Sequence, residues 1–160
     1  MHPSLEHCEG IGEGSNCVVV PLLEGTMAGP SAAHANERLI REAFGAFMRG
    51  DMAAARTYFD PSVTWHVTGR GPLSGDFHGF DEIAGWGGRL VERFGGTFRE
   101  ELLEVVAGDA VAYQRVVYRG SRGGRSIEDL SVNVYRLNRG KIVECWVLFG
   151  DPYGFDEILA

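Results

Sequence analysis

The chain has 160 residues and a formal charge of −7, with 15 Lys and Arg against 22 Asp and Glu. That balance excludes the concentrated basic surface that nucleic acid requires and offers no cationic patch to an anionic membrane. The 44% apolar and 23% charged content suits one globular domain with a single core. The longest apolar runs, Cys17 to Val20 and Cys145 to Phe149, are too short to span a bilayer. Three cysteines, two of them near the N-terminus, form no disulfide framework and point to a reducing cytoplasm.

Residues 1–30 read as an irregular or disordered tail and residues 31–160 as the domain. The first 26 residues hold no Lys or Arg, four glutamates and repeated glycines, so they lack the positive start of a secretory signal. Pro21 demotes the apolar patch around Val18 to Leu23 as a strand. Glu24-Gly25 is a pair whose codons can spell a ribosome-binding sequence, which makes Met27 the expected natural start. An arm over a pocket or partner is the competing expectation. His7, Cys8 and Cys17 match no closed zinc spacing.

From Asn36 to Met48, apolar residues recur at steps of three and four and predict an amphipathic helix with Asn36 as its N-cap. Gly50 stops it, and Asp51 caps a short helix to about Phe59. A strand follows from Val63 to Thr68, with Val63, Trp65 and Val67 on one face and Thr64, His66 and Thr68 on the other. The loop GRGPLSGDFHG leads to a helix over Asp81 to Phe94. Four strands complete the chain: Thr97 to Val106, Val111 to Arg119, Ile127 to Leu137 and Ile142 to Phe149. Their short turns make them an antiparallel meander. Two or three helices against one face of a curved sheet is an α+β layer arrangement.

The order of the pieces carries a resemblance. They are Phe-Met-Arg-Gly-Asp at the first helix end, Thr-Trp-His-Val on the first strand, Gly-Pro-Leu-Ser-Gly with Gly79, and the last hairpin through Trp146 to Phe149. From about Ala35 to Ala160 the chain resembles the nuclear transport factor 2-like superfamily, with its ketosteroid isomerases, limonene-epoxide hydrolases and SnoaL-type polyketide cyclases. The resemblance implies a cone-shaped α+β domain, a curved mainly antiparallel sheet on about three helices, and a homodimer built through the sheet. It places the isomerase base at His66, the oxyanion Asp at Asn133 and the oxyanion Tyr at Ala43. A His can shuttle protons near neutrality and an Asn amide can donate to an enolate oxygen. The epoxide-hydrolase Arg matches Arg115, but its two acids fall on Val117 and Val147. The cyclase Asp also falls on Val147. Epoxide opening is therefore not expected.

On the strand Ile127 to Leu137, Asp129, Ser131, Asn133 and Tyr135 share one face. That polar face and the one bearing His66 either line one wet pocket or face solvent or a second subunit. In the pocket arrangement His66 shuttles protons, Asn133 stabilises and Asp129 orients His66. Trp65, Tyr58, Tyr113, Arg115, Tyr135, Trp146 and Val147 then bind substrate. No phosphate loop, dinucleotide fingerprint or metal-ligand spacing is present, so neither cofactor nor metal is expected. The expected function is a cofactor-free isomerase or cyclase that moves protons on a small hydrophobic carbonyl compound, polyketide- or steroid-like. The alternatives are a non-catalytic binding protein for such a molecule and a protein-interaction domain.

Overall fold

The computed structural model describes residues 31–160. The expectations for the tail, with its Met27 start and its His and Cys residues, lie outside the described residues. The elements run α1 (Ala32–Met48), α2 (Met52–Arg56), β1 (Phe59–Val67), β2 (Gly75–His78), α3 (Gly79–Arg93), β3 (Arg99–Ala107), β4 (Val111–Arg122), β5 (Arg125–Asn138), β6 (Lys141–Leu148) and α4 (Pro152–Leu159). The six strands form one curved sheet in the order β2-β1-β6-β5-β4-β3. The meander β3 to β6 is antiparallel, as its turns predict, but β1 joins β6 in parallel, so the sheet is mixed.

The second helix ends at Arg56 and β1 starts at Phe59, both earlier than expected, while β4 and β5 run on to Arg122 and from Arg125. Three further features differ from the sequence expectation for local reasons. Ser31, not Asn36, caps α1, its hydroxyl accepting from the His34 amide. Asn36 is buried one turn inside and donates to the Gly108 and Asp109 carbonyls at 2.8 and 3.0 Å, which ties the helix to the β3–β4 turn. β2 lies inside the predicted loop as a four-residue strand antiparallel to β1. The last helix, α4, was not foreseen, although Asp151 as N-cap followed by Pro152 is an ordinary helix start.

Helices α1 and α3 cover the concave face of the sheet. α3 buries Phe80, Ile83, Trp86 and Leu90 there, a spacing that keeps all four on one helical face. Each such side chain contributes about 1.5–3 kcal/mol of transfer free energy, which is why the helix forms despite Gly85, Gly87 and Gly88. Near the end of α3 the Phe94 ring lies against Gly120 of β4, where a Cβ would sit 2.5 Å from it. No other residue type fits that crossing without displacing the ring. The core stops short of filling the concavity, and the gap left behind is the candidate site.

Candidate active site

A cavity of about 680 Å³ lies between the concave sheet face and helices α1 and α3. Its wall is mostly apolar, with Phe44, Phe47, Trp65, Trp86 and Phe98 among its aromatic residues. Such a size and lining suit a small multi-ring hydrophobic guest. The polar residues gather on one side, on β3, β4 and β5: Glu100, Gln114, Tyr118, Asn133 and Tyr135.

Strand register explains this gathering. Glu100 of β3 faces Tyr118 of β4, and Gln114 of β4 faces Asn133 of β5. Cross-strand partners share a sheet face, so all of them, with Tyr135, project to the concave side. The Asn133 amide donates to the Gln114 carbonyl and to the Tyr118 hydroxyl, both at 3.2 Å. The Tyr135 hydroxyl donates to the same Gln114 oxygen. Gln114 is 1% and Asn133 2% exposed, so this network lies deep in the wall.

Glu100 is the one acidic residue on the cavity wall. Glu100 as a residue is part-buried, and the removal of its carboxyl from bulk water raises its pKa to about 7, against which the nearby Tyr118 hydroxyl pulls it back down. A carboxyl balanced near neutrality gives and takes protons with little penalty either way. Burial pushes the phenols of Tyr118 and Tyr135 well above their ordinary value, so both remain protonated donors. The Cys145 thiol behind them is likewise pushed up, as suits a buried, unreactive side chain.

The residues expected from sequence divide between the two faces. Trp65, Asn133 and Tyr135 line the cavity. Val147 is fully buried in the core on the same face but does not line it. His66 lies on the opposite, convex face, because Trp65 and Val67 on either side of it take the inward positions. Its ring stacks on Trp146 at 5.3 Å, which places Trp146 outside as well. Tyr113 is half exposed and Arg115 pairs with Glu104, both on the convex face. The Tyr58 hydroxyl is 3.4 Å from Glu42, away from the cavity. Asp129 faces inward but binds Ser131 and the amides of Gly150 and Asp151, not His66. His66 and Asn133 therefore do not converge, and Asp129 does not orient His66. Glu100, Gln114 and Tyr118 belong to the site and were not anticipated.

His66 has a different occupation. Its Nδ1 meets Asp76 at 2.7 Å and its Nε2 meets Glu144 at 3.0 Å, and Arg136 binds the other oxygen of Glu144. Only the doubly protonated ring donates from both nitrogens. Burial alone lowers the His66 pKa, but the hydrogen bonds and charges of Asp76 and Glu144 outweigh it, and the net shift is upward from 6.5. A raised folded-state pKa gives stability that is complete below 6.5 and fades as pH rises through the folded value. His66→Gln is therefore expected to lower Tm most at acid pH and least in mildly alkaline buffer. A Tm difference from the wild type that is flat across this range would contradict the clamp. The two carboxylates bind opposite ring nitrogens and do not converge on a point, and among the described residues no cluster suits a metal ion.

Residues 40–145 match the SnoaL-like domain family. The chain belongs to that family. An uncharacterized protein of Mycobacterium tuberculosis is 30% identical over 125 residues, covering 76% of this chain and 94% of that protein. Among solved structures, Bal32a from a soil-derived mobile gene cassette superposes with a TM-score of 0.76 at 29% identity, over 81% of this chain and 99% of Bal32a. IdmH of Streptomyces antibioticus, proposed to be a polyketide cyclase, gives a TM-score of 0.60 at 21% identity, over 74% and 94% of the two chains. The α+β fold is that of the nuclear transport factor 2-like superfamily, as the first-strand and last-hairpin motifs implied. Among the described residues of this SnoaL-like chain, no helix is long and apolar enough to cross a membrane.

Proposed function

We propose that this SnoaL-like protein is a cofactor-free isomerase or cyclase that moves protons on a small hydrophobic carbonyl compound. One observation carries the proposal: a carboxyl with a pKa of about 7, Glu100, on the polar side of a mostly apolar cavity. The ionised carboxylate takes a proton from the carbon next to the guest's carbonyl. The C–H electrons move into the enolate, whose oxygen lies toward the polar side of the wall, where Gln114, Tyr118 and Asn133 gather. The resulting Glu100 acid returns the proton to a different carbon in an isomerisation. In a cyclisation the enolate carbon instead attacks a second carbonyl, and Glu100 delivers its proton to the alkoxide formed. The likeness to IdmH supports a polyketide-like guest. Tyr118 holds the carboxyl in place, and the Trp and Phe walls exclude water and grip the rings.

The test uses β-tetralone, whose activated α-protons exchange with deuterium oxide and are followed by NMR. The protein is expected to accelerate exchange by about 10²–10⁴-fold over buffer. The rate should rise through a pH of about 7 as Glu100 ionises. If β-tetralone binds and its exchange stays at the buffer rate, the chain is a binding protein and not a catalyst.

We also infer a cytoplasmic homodimer joined through the convex sheet face. Val106, Tyr113, Leu130 and Leu148 are 40–55% exposed on that side, an apolar surface of the kind a second copy covers. Sedimentation equilibrium is expected to return twice the chain mass, and Leu130→Lys to return the monomer. A wild-type chain that sediments as a monomer at micromolar concentration would count against the dimer.

A further inference from the structure

The Tyr118 hydroxyl stands between two partners, the Asn133 amide and the Glu100 carboxyl. Its ring is held by Phe98 at 5.6 Å, Phe149 at 5.8 Å and Phe155 at 6.0 Å, so rotation of the O–H is the freedom left to it. The residue is 3% exposed, and bulk water does not take the hydrogen. A hydroxyl has one hydrogen to give and lone pairs with which to receive. The Asn133 amide donates to the Tyr118 oxygen at 3.2 Å. That leaves the hydrogen of Tyr118 for the Glu100 carboxyl, its partner across β3 and β4.

In the reverse orientation of the amide, Tyr118 would donate to Asn133 and turn a lone pair toward Glu100. An ionised carboxylate only accepts, so ionised Glu100 requires the orientation in which Asn133 donates. Gln114 favours the same orientation. Its Oε1 accepts from the Asn133 amide at 3.2 Å and from the Tyr135 hydroxyl, so Asn133 is the donor in both of its bonds.

The other groups around Glu100 are constant where it titrates. Tyr118 of β4 and Tyr135 of β5 share its wall, and Cys145 of β6 lies behind them. Burial keeps all three protonated. Arg99 on the lining keeps its positive charge throughout. The residues that α1, α2 and α3 bring to the cavity are uncharged.

Resting on the acid–base function above, we propose that Asn133 is a positioning residue for Glu100: by donating to the Tyr118 oxygen it reserves the Tyr118 hydrogen for the Glu100 carboxylate. Asn133 needs no contact with the guest in this role. Without the amide, the Tyr118 oxygen is open to the proton of the Glu100 acid, and the hydroxyl loses the donor that polarises it toward the carboxylate. The acid form gains and the carboxylate loses, so Glu100 ionises at higher pH.

NMR titration of isotope-labelled glutamate carboxyls tests this without a guest, the Glu100 signal being the one missing from Glu100→Gln. The wild-type midpoint is expected at about 7. Tyr118→Phe should raise it by about one pH unit and Asn133→Leu by about half a unit. The double variant should titrate with Tyr118→Phe, because Asn133 acts through the hydroxyl that is gone. Asn133→Ala is expected to repeat the Leu result and serves if the larger side chain disturbs folding. An unmoved midpoint in the Asn133 variants, or an equal shift with and without the Tyr118 hydroxyl, would overturn the proposal. The rise of β-tetralone exchange with pH should move by the same amount as the carboxyl midpoint. Shifted midpoints without any acceleration of exchange would leave Asn133 in its positioning role and remove the acid–base function.

Discussion

Glu100→Gln is expected to return α-proton exchange on β-tetralone to the buffer rate, a loss of about 10²-fold or more. Gln keeps the shape and hydrogen-bonding capacity of the side chain but neither accepts nor gives a proton near neutrality. The same substitution has a second readout that involves no guest. The Glu100 pKa rises from 4.5 to about 7 on folding, so the unfolded chain loses its proton first as pH increases. Stability therefore falls between those two values and levels off above about 7. Glu100→Gln removes this loss, so its Tm advantage should grow from about pH 4.5 and plateau above neutrality. Lost exchange with that Tm profile is lost chemistry in a folded protein. Retained exchange in Glu100→Gln would remove Glu100 from the mechanism. A flat Tm difference would mean that its carboxyl is not desolvated.

The parts of this fold that follow from period were legible in the sequence, and the parts that depend on a single register step were not. The alternation of Val63, Trp65 and Val67 assigned β1 its inward face, and the structure keeps it. The carry-over of an isomerase base to His66 set that alternation aside. In a strand, one residue of displacement moves a side chain to the other face. Asn133 and Tyr135 followed the β5 period and do line the cavity. Glu100 was hidden by the opposite effect. Val105 points inward, and an unbroken period of two from it puts Leu103 and Glu101 inside and Glu100 outside. A bulge between Leu102 and Glu104 makes Leu103 the extra residue, 41% exposed, and turns Glu100 and Leu102 toward the core. The run Arg-Glu-Glu-Leu-Leu-Glu gives no sign of where the period slips. β2 is too short for any period to be read from its four residues. The start of α4 is legible in Asp151 and Pro152, an N-cap followed by a proline at the first helical position.

Asp129, which the polar face of β5 suggested as a partner of His66, is expected to matter for stability and not for proton transfer. Its carboxylate is 3% exposed and accepts from the Gly150 amide at 3.1 Å, the Asp151 amide at 2.6 Å and the Ser131 hydroxyl. Asp151 in turn caps α4 by accepting from Gly154 at 2.9 Å. α4 buries Phe155, Ile158 and Leu159, and its Asp156 accepts from the Arg70 amide in the loop after β1. One buried carboxylate therefore fixes the helix that closes this end of the sheet. Asp129→Asn fills the same space but turns an N–H toward a backbone N–H, leaving two donors facing each other. Such a loss at a buried charged acceptor costs about 3 kcal/mol, or roughly 10 °C in Tm for a chain of this size. Hydrogen exchange should show the extra opening in α4 and the segment around Arg70, with β3 and β4 protected as before. At low temperature, where the variant stays folded, β-tetralone exchange should match the wild type, because Asp129 does not line the cavity. An Asp129→Asn protein with an unchanged Tm and abolished exchange would put Asp129 in the chemistry.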